Sequence, residues 1–442
     1  MQKENGKKLS SWKEIADYLG YSVRSCRRLE KKTGLPIYRV GSGRNPRVFA
    51  FSNELDSWLR GKANAPEDPD GKLRNGQKRR IFIPFAVVVI LAMAFGTYLF
   101  LLSSSSQPAD FSIRGSFLVI KDARGKELWS FDSGLENLEK EAVYRDRFQI
   151  KHTTSDGSPL WPLILIEDIN NDKNTEVVFS SQTESQLNEG WLYCFDHKGN
   201  ELWIFEAGGA HRFGDHLFSN DYRIEGIAPF DLNNDGKLEF CIIGAHMDDF
   251  PTRLAYLDCR GSIIGEYWNS GRILDLASKD LNNDGKPELL AVGTNNEYGK
   301  ACLIVFDPDR IEGCSPQRES NYICGDFAKG TEISYVLFPR TPVDRAAFRD
   351  RETMQRIELL KDAGIKVVAS SSRLCFELND RLEAQHITAT YVFKQKYDQF
   401  RREGIIKESF DPIELESLKK GLLYWTGREW SLRPAVNSNY GR

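Results

Sequence analysis

Histidine is scarce in this chain, six in 442 residues, and the six are scattered. The eight cysteines include no C-x-x-C pair, and no Cys/His spacing suits a zinc ion. There is no G-x-S-x-G, no H-E-x-x-H and no glycine loop able to cradle phosphate. These absences remove the nucleophile-elbow, zinc-protease and P-loop chemistries, so the expectation is a protein that binds rather than an enzyme. His211, His216 and His246 form the nearest approach to a cluster and read more simply as polar loop residues. Cys194, Cys241 and Cys302 sit in strand-like apolar runs as buried hydrophobes, whereas Cys314 and Cys324 flank a loop and would bridge in an oxidising compartment. Seven cysteines follow residue 102; the odd one stays free or pairs with another chain.

What the chain does contain is one uninterrupted apolar run, Ile81–Leu102, long enough to span a bilayer core as a helix. Pro84 lies in its first turn, where a missing N–H costs least. Lys78, Arg79 and Arg80 precede it and Ser-rich sequence follows, which puts residues 1–80 in the cytoplasm of a bacterial-type inner membrane and the C-terminal part outside. A secretory signal peptide is not expected, because about 80 residues come first. Ala92 and Gly96 form a weak small-xxx-small pair that would suit a homodimer. Charge divides at the same place. Residues 1–80 hold 19 Lys and Arg against 9 Asp and Glu; the whole chain is at −3, so the remainder is at −13. A basic cytoplasmic segment points to nucleic acid or anionic lipid, an acidic outer one to cations or solubility.

Ser11-Trp12-Lys13-Glu14 is a capping box that opens a helix with Trp12, Ile15, Ala16 and Leu19 at helical spacing. Gly20 turns the chain and Ser22 caps a second helix bearing Arg24, Ser25, Arg27 and Arg28, which Gly34-Leu35-Pro36 stops. Two short strands follow around the tip Gly41–Pro46, and Ser52 caps a last helix, NELDSWLRG, that bears Trp58-Leu59. Over residues 9–60 this order resembles the MerR/excisionase-type winged helix-turn-helix. The resemblance implies that Arg24 and Ser25 face bases in the major groove. It implies that Arg27 or Arg28 grips phosphates, while wing residues Arg39, Arg44 and Arg47 contact backbone or minor groove. Residues 61–80, rich in Pro, Gly and Lys, read as a flexible basic linker.

Beyond the apolar run three nonapeptides align, starting at Asp168, Asp231 and Asp280. Each places side-chain oxygens at positions 1, 3, 5 and 9: Asp168, Asn170, Asp172 and Glu176; Asp231, Asn233, Asp235 and Glu239; Asp280, Asn282, Asp284 and Glu288. Position 7 (Asn174, Lys237 and Lys286) adds a backbone carbonyl, and this donor set suits calcium. Position 6 is Gly in the last two loops and Lys173 in the first, which would weaken that site. The loops begin like EF-hands, but their flanks are short β-type runs and the closing acid comes at position 9 rather than 12. Strand–Asp/Gly turn–strand hairpins alternate with them at 117–134, 192–209, 254–271 and, degenerate, 303–314. Loop and hairpin repeat together, 63 and 62 residues apart and then 49 and 49. Four short strands per repeat indicate a β-propeller.

The alternation resembles FG-GAP/VCBS repeats, the integrin-α-like blades, which implies two or three structural calcium ions that stiffen the blades. The fold class expected is multidomain: a small α+β winged helix-turn-helix (1–60), a transmembrane helix (81–102), a mainly-β propeller of four to seven blades (110–330) and a propeller closure or α+β annex (331–442). In that last part ISYVLF, IKVVAS, RLCFEL and ATYVFK read as strands. YDQFRREG and PIELESLKKGLLYW read as helices, and Trp425 and Trp430 as anchors to the propeller. The function expected is a membrane-bound, DNA-binding transcriptional regulator with a calcium-binding outer sensor for an unknown ligand or protein. The alternative is a membrane-anchored adhesion or scaffold protein whose propeller binds a protein or glycan.

Overall fold

A computed structural model describes residues 6–40, 47–63, 107–183, 190–248, 250–347, 351–361 and 364–440. The expected transmembrane run 81–102, the linker beyond residue 63 and Arg44 lie outside these. Among the described residues no helix is long and apolar enough to cross a membrane. The chain forms two compact units, Met1–Phe95 and Gly96–Arg442.

In the N-terminal unit, β1 (Lys8–Leu9) precedes α1 (Trp12–Leu19) and α2 (Val23–Thr33). Then come β2 (Tyr38–Val40), β3 (Arg47–Phe51) and α3 (Ser52–Ala63). The three strands form one sheet with β3 in the middle. Ser11 Oγ accepts the Glu14 N–H (3.2 Å), but Glu14 answers the Ser10 N–H (2.9 Å) and the Ser11 hydroxyl, one residue earlier than a standard capping box. Ser22 Oγ accepts the Ser25 N–H (3.1 Å). Gly20 and Gly34 end the two helices in the left-handed region, at φ 68° and 66°. Leu9, Ile15, Ala16, Cys26, Leu35, Ala50 and Leu55 make the core. The Trp58 indole donates to Thr33 O (3.1 Å), and the Tyr18 hydroxyl reaches Asp56. Helix α3 runs to Ala63, three residues into the expected linker, because Arg60, Lys62 and Ala63 are good helix formers.

The second unit is mostly β and propeller-like. Among the described residues five mainly antiparallel sheets of three or more strands follow one another along the chain. Blade 1 is Asp110–Arg114, Phe117–Lys121 and Glu127–Asp132; blade 2 spans Ile164 to Glu206; blade 3 spans Tyr222 to Asn269. Blade 4 starts with Ile273–Lys279, Glu288–Asn295 and Lys300–Phe306; blade 5 spans Met354 to Ala389. Inner strands such as Glu239–His246 and Glu288–Asn295 are buried along their whole length, because each face meets a neighbouring blade. Adjacent residues therefore serve different cores. Val177 faces blade 1 and Val178 faces blade 3; Leu289 faces blade 3 and Leu290 faces blade 5. Four cores thus fill the four gaps between successive blades.

Tryptophan ties some of these gaps. The Trp129 indole donates to His197 O (3.2 Å) in the blade 2 turn, and Trp203 donates to Cys259 O (3.1 Å) in the blade 3 turn. Gly199 and Gly261 sit under the two rings, and a Cβ there would approach ring carbons to 2.7 and 2.5 Å. The corresponding residue of blade 3 is Gly265, and Ile311 fills the space a tryptophan would take.

Blade 4 corrects the reading of the C-terminal part. Its outer strands are Ser334–Leu337, then Leu423–Trp425 and Trp430–Ser431, so the sheet draws on both sides of residue 330. Residues 307–333 leave blade 4, lay Glu312–Cys314 parallel to the outer strand of blade 3, and return. PIELESLKKGLLYW is not one helix: it is Pro412–Lys419, then Gly421, then a strand. ATYVFK is not a strand: Thr390 Oγ1 accepts the Phe393 N–H (3.1 Å) and caps a helix, Tyr391–Arg402, that buries Phe393 and Tyr397. Trp430 packs on Tyr298, Tyr335 and Trp425.

Candidate functional site

The three oxygen-rich loops share one hydrogen-bond scheme. In the second, Asp231 accepts the N–H of Asp235 (3.1 Å) and of Gly236 (3.0 Å), and Asn233 accepts that of Asp235 (2.8 Å). Asp235 accepts the N–H of Lys237 (2.8 Å). Glu239 does not close the loop from above. It lies at the base, accepting the Leu232 N–H (3.0 Å) and the Asn233 side-chain amide (2.9 Å). Asp280, Asn282, Asp284 and Glu288 repeat every contact. Asp168, Asn170, Asp172 and Glu176 repeat the backbone part. Lys173 adopts the glycine conformation (φ 71°) and still gives its N–H to Asp168 (2.8 Å). The first loop thus keeps its shape at a cost of about 1–2 kcal/mol.

Position 4 is asparagine in all three loops and was passed over in the sequence, although its triple recurrence was visible. Asn171, Asn234 and Asn283 all have φ near 60°, a region asparagine tolerates. Asn234 also donates to Gly285 O in the next loop (3.1 Å), and the Asn171 amide lies close to Gly236. The Leu238 N–H to Ile169 O bond (2.9 Å) adds a further link. The loops therefore stand in a row, one per blade, each touching the next.

The donor types suit a hard cation. Each recorded carboxylate bond uses one lone pair, and oxygen lone pairs remain. Burial, with Asp172 and Asp168 close by, pushes Glu176 up to about 7, and burial raises Glu239 and Glu288 as well. Among the described residues, however, no three His, Cys, Asp or Glu side chains gather closely enough to hold a metal ion. The loops are held by their own hydrogen bonds.

The three histidines come together in aromatic packing. His246 is buried against Phe218 and Tyr222, and its Nδ1 accepts the Asp248 N–H (3.2 Å). His211 lies against Trp268 and Phe327, and His216 against Phe218. Burial lowers both His211 and His246 below the usual imidazole range.

In the N-terminal unit, α2 buries only Cys26 fully. Arg24 and Arg28 are exposed and, like Arg47 on β3, form no ion pair among the described residues. The other expected contact residues are engaged. Ser25 bonds Ser22 through its hydroxyl (2.9 Å), the Arg27 guanidinium lies 5.4 Å from the Trp12 ring, and Arg39 pairs with Glu30 (2.6 Å).

A family model described as FG-GAP-like repeat matches residues 168–242, which hold the first two loops and the hairpin between them. No curated protein sequence matches the chain. Among solved structures it is similar to the Dos1 propeller (11% identity, TM-score 0.32, 62% of this chain and 65% of that one). It is also similar to quinohemoprotein alcohol dehydrogenase from Comamonas testosteroni (11%, 0.29, 52% and 33%). A third is BamB from Moraxella catarrhalis (12%, 0.24, 63% and 69%). The chain therefore spans less than two thirds of the length of the first two. Its second unit is mostly β and propeller-like, and residues 168–242 of it match an FG-GAP-like repeat.

Proposed function

We propose that this chain is a single-pass membrane-bound transcriptional regulator. Its N-terminal unit is read as a winged helix-turn-helix that binds DNA, and its propeller domain as a sensor on the other side of the membrane. The observation that carries the reading is the surface of α2, where Arg24 and Arg28 stand exposed without an acidic partner among the described residues. Arg47 on the adjoining hairpin adds a third cation, and the surplus of positive charge in residues 1–80 supplies the long-range attraction. So small a module makes few phosphate contacts. One copy binds weakly and loses affinity steeply with salt, and useful affinity needs two copies on paired half-sites. Signalling would then act by changing the effective concentration of the two copies.

An electrophoretic shift series with residues 1–75, monomeric and fused to a dimeric coiled coil, tests this. The expected result is salt-dependent DNA binding by the fused form, abolished by Arg24→Glu with Arg28→Glu. No binding by either form overturns the proposal and leaves the scaffold alternative.

Calcium enters as a structural ion in the second and third loops, held by Asp231, Asn233, Asp235 and the Lys237 carbonyl, and by Asp280, Asn282, Asp284 and the Lys286 carbonyl. It would neutralise the crowded carboxylates and stiffen the row of loops. Calorimetric titration of residues 107–442 with calcium should give heat that Asp231→Ala and Asp280→Ala each reduce. An intact domain that takes up no calcium refutes it.

A further inference from the structure

Cys314 and Cys324 stand at the two feet of one bend in the excursion 307–333. Cys314 ends the strand that this excursion adds to blade 3, and its carbonyl accepts the Gly330 N–H (2.9 Å). Cys324 forms an isolated β-bridge with Phe213 of the hairpin His211–Phe213/His216–Phe218, and its N–H binds Gln317 Oε1 (2.7 Å), which folds the bend back on itself. That fold brings the two thiols within hydrogen-bonding reach of each other. Both are almost wholly buried from bulk solvent, yet both line a cavity of about 370 Å³ that Lys329 and Arg428 also line. Cys194, Cys241 and Cys302 are buried in inter-blade cores, and Cys314 and Cys324 join the core that also holds Cys194.

We propose that Cys314 and Cys324 are a reversible disulfide site, oxidised by a low-molecular-weight or protein disulfide that enters through this cavity. The proposal does not depend on what the N-terminal unit binds. The two sulfurs are unequal. The neighbouring Cys314 thiol, with the N–H groups of Asp326 and Phe327, holds the Cys324 thiol below its usual range, whereas Cys324 and burial push Cys314 up. Cys324 is therefore the attacking thiolate. It attacks one sulfur of the incoming disulfide, the S–S bond breaks, and one thiolate leaves. Cys314 loses its proton to that leaving thiolate and attacks the Cys324 sulfur of the mixed disulfide, expelling the second thiolate, which takes a proton from solvent. Two protein thiols are oxidised, one disulfide is reduced to two thiols, and no other electron acceptor is needed. The new bond ties the strand on blade 3 to the segment that bridges to the hairpin at Phe213.

The sequence supplies a direct assay, because Arg318 lies between the two cysteines and Arg310 and Lys329 bound them. The full-length protein is incubated in mixtures of oxidised and reduced glutathione, alkylated, and digested with trypsin without reduction. The expected product is peptide 311–318 joined to peptide 319–329, lighter by two hydrogens than their sum, lost on return to reduced glutathione. Cys259→Ser should leave it unchanged, whereas Cys314→Ser and Cys324→Ser should each abolish it. Should those two variants not fold, the wild-type map decides alone. Recovery of the two peptides separately alkylated under oxidising conditions, or either cysteine joined to a different one, overturns the proposal. So does a link that reduced glutathione cannot open.

Discussion

Replacing Trp203 by alanine tests whether the indole-on-turn contact holds blade 2 to blade 3. Trp203 is 9% exposed, its ring covers Gly261, and its N–H reaches Cys259 O at 3.1 Å. Truncating a buried tryptophan costs about 3–5 kcal/mol through lost transfer energy and the cavity left behind. Of this, roughly 1 kcal/mol belongs to the hydrogen bond. Trp203→Phe keeps most of the ring against the glycine and should cost about 1–2 kcal/mol, chiefly the bond and one ring. Leu202, the next residue on the same strand, is 49% exposed and serves as the control. Leu202→Ala should stay within about 0.5–1 kcal/mol. Urea unfolding of residues 107–442, followed by far-UV circular dichroism, gives the three values, provided the slope m is shared. If Trp203→Ala costs no more than Leu202→Ala, the ring is not a tie between blades.

Stability of the propeller unit should fall as pH rises from about 5 to 8. Burial lifts the carboxyls of Glu332 and Glu352 to about 8, with Asp344 beside Glu352 adding to it, from an ordinary value of 4.5. The folded state therefore keeps protons that the unfolded chain has released across that window. Calorimetric unfolding midpoints at pH 5, 6, 7 and 8 should show the decline, and Glu332→Gln with Glu352→Gln should flatten it; an unchanged slope refutes the assignment. In the N-terminal unit, Ser11→Ala should cost about 1 kcal/mol, because α1 loses the oxygen that accepts the Glu14 N–H. A urea midpoint for residues 1–75 that does not move would refute the cap.

Features that depend on a few neighbouring residues were readable in the chain. The caps at Ser11 and Ser22 and the turns at Asp231 and Asp280 are set by side chains bonding backbone within five residues. Thr390 misled for the opposite reason. Its run of Thr, Tyr, Val and Phe has strand propensity, but the cap and the packing of Phe393 and Tyr397 on Phe410 select a helix. Distant partners left no local trace. Nothing near Gly265 announces that Ile311 fills its tryptophan slot, and nothing near Val336 announces that Tyr424 will pair with it. The loops were legible as oxygen-rich turns. That Glu239 and Glu288 lie beneath them, bonded to Asn233 and Asn282, required coordinates. At α2, exposed arginines were legible, whereas the engagement of Arg27 by Trp12 and Arg39 by Glu30 was not.

The composition of blade 4 imposes a timetable on biosynthesis. Blades 1 to 3 take their main strands in chain order, so they can assemble as the polypeptide emerges. Blade 4 cannot. After Ser334–Leu337 is in place, its open edge waits for Leu423–Trp425, and Glu332 waits for the amide of Asn437 (2.9 Å). During that interval a row of unpaired backbone groups is a template for a foreign strand. The ribosome must deliver about 90 more residues before that edge is sealed, and blade 5 must fold in the meantime. Slow translation between residues 338 and 423 is therefore the stage at which this edge is most exposed to aggregation.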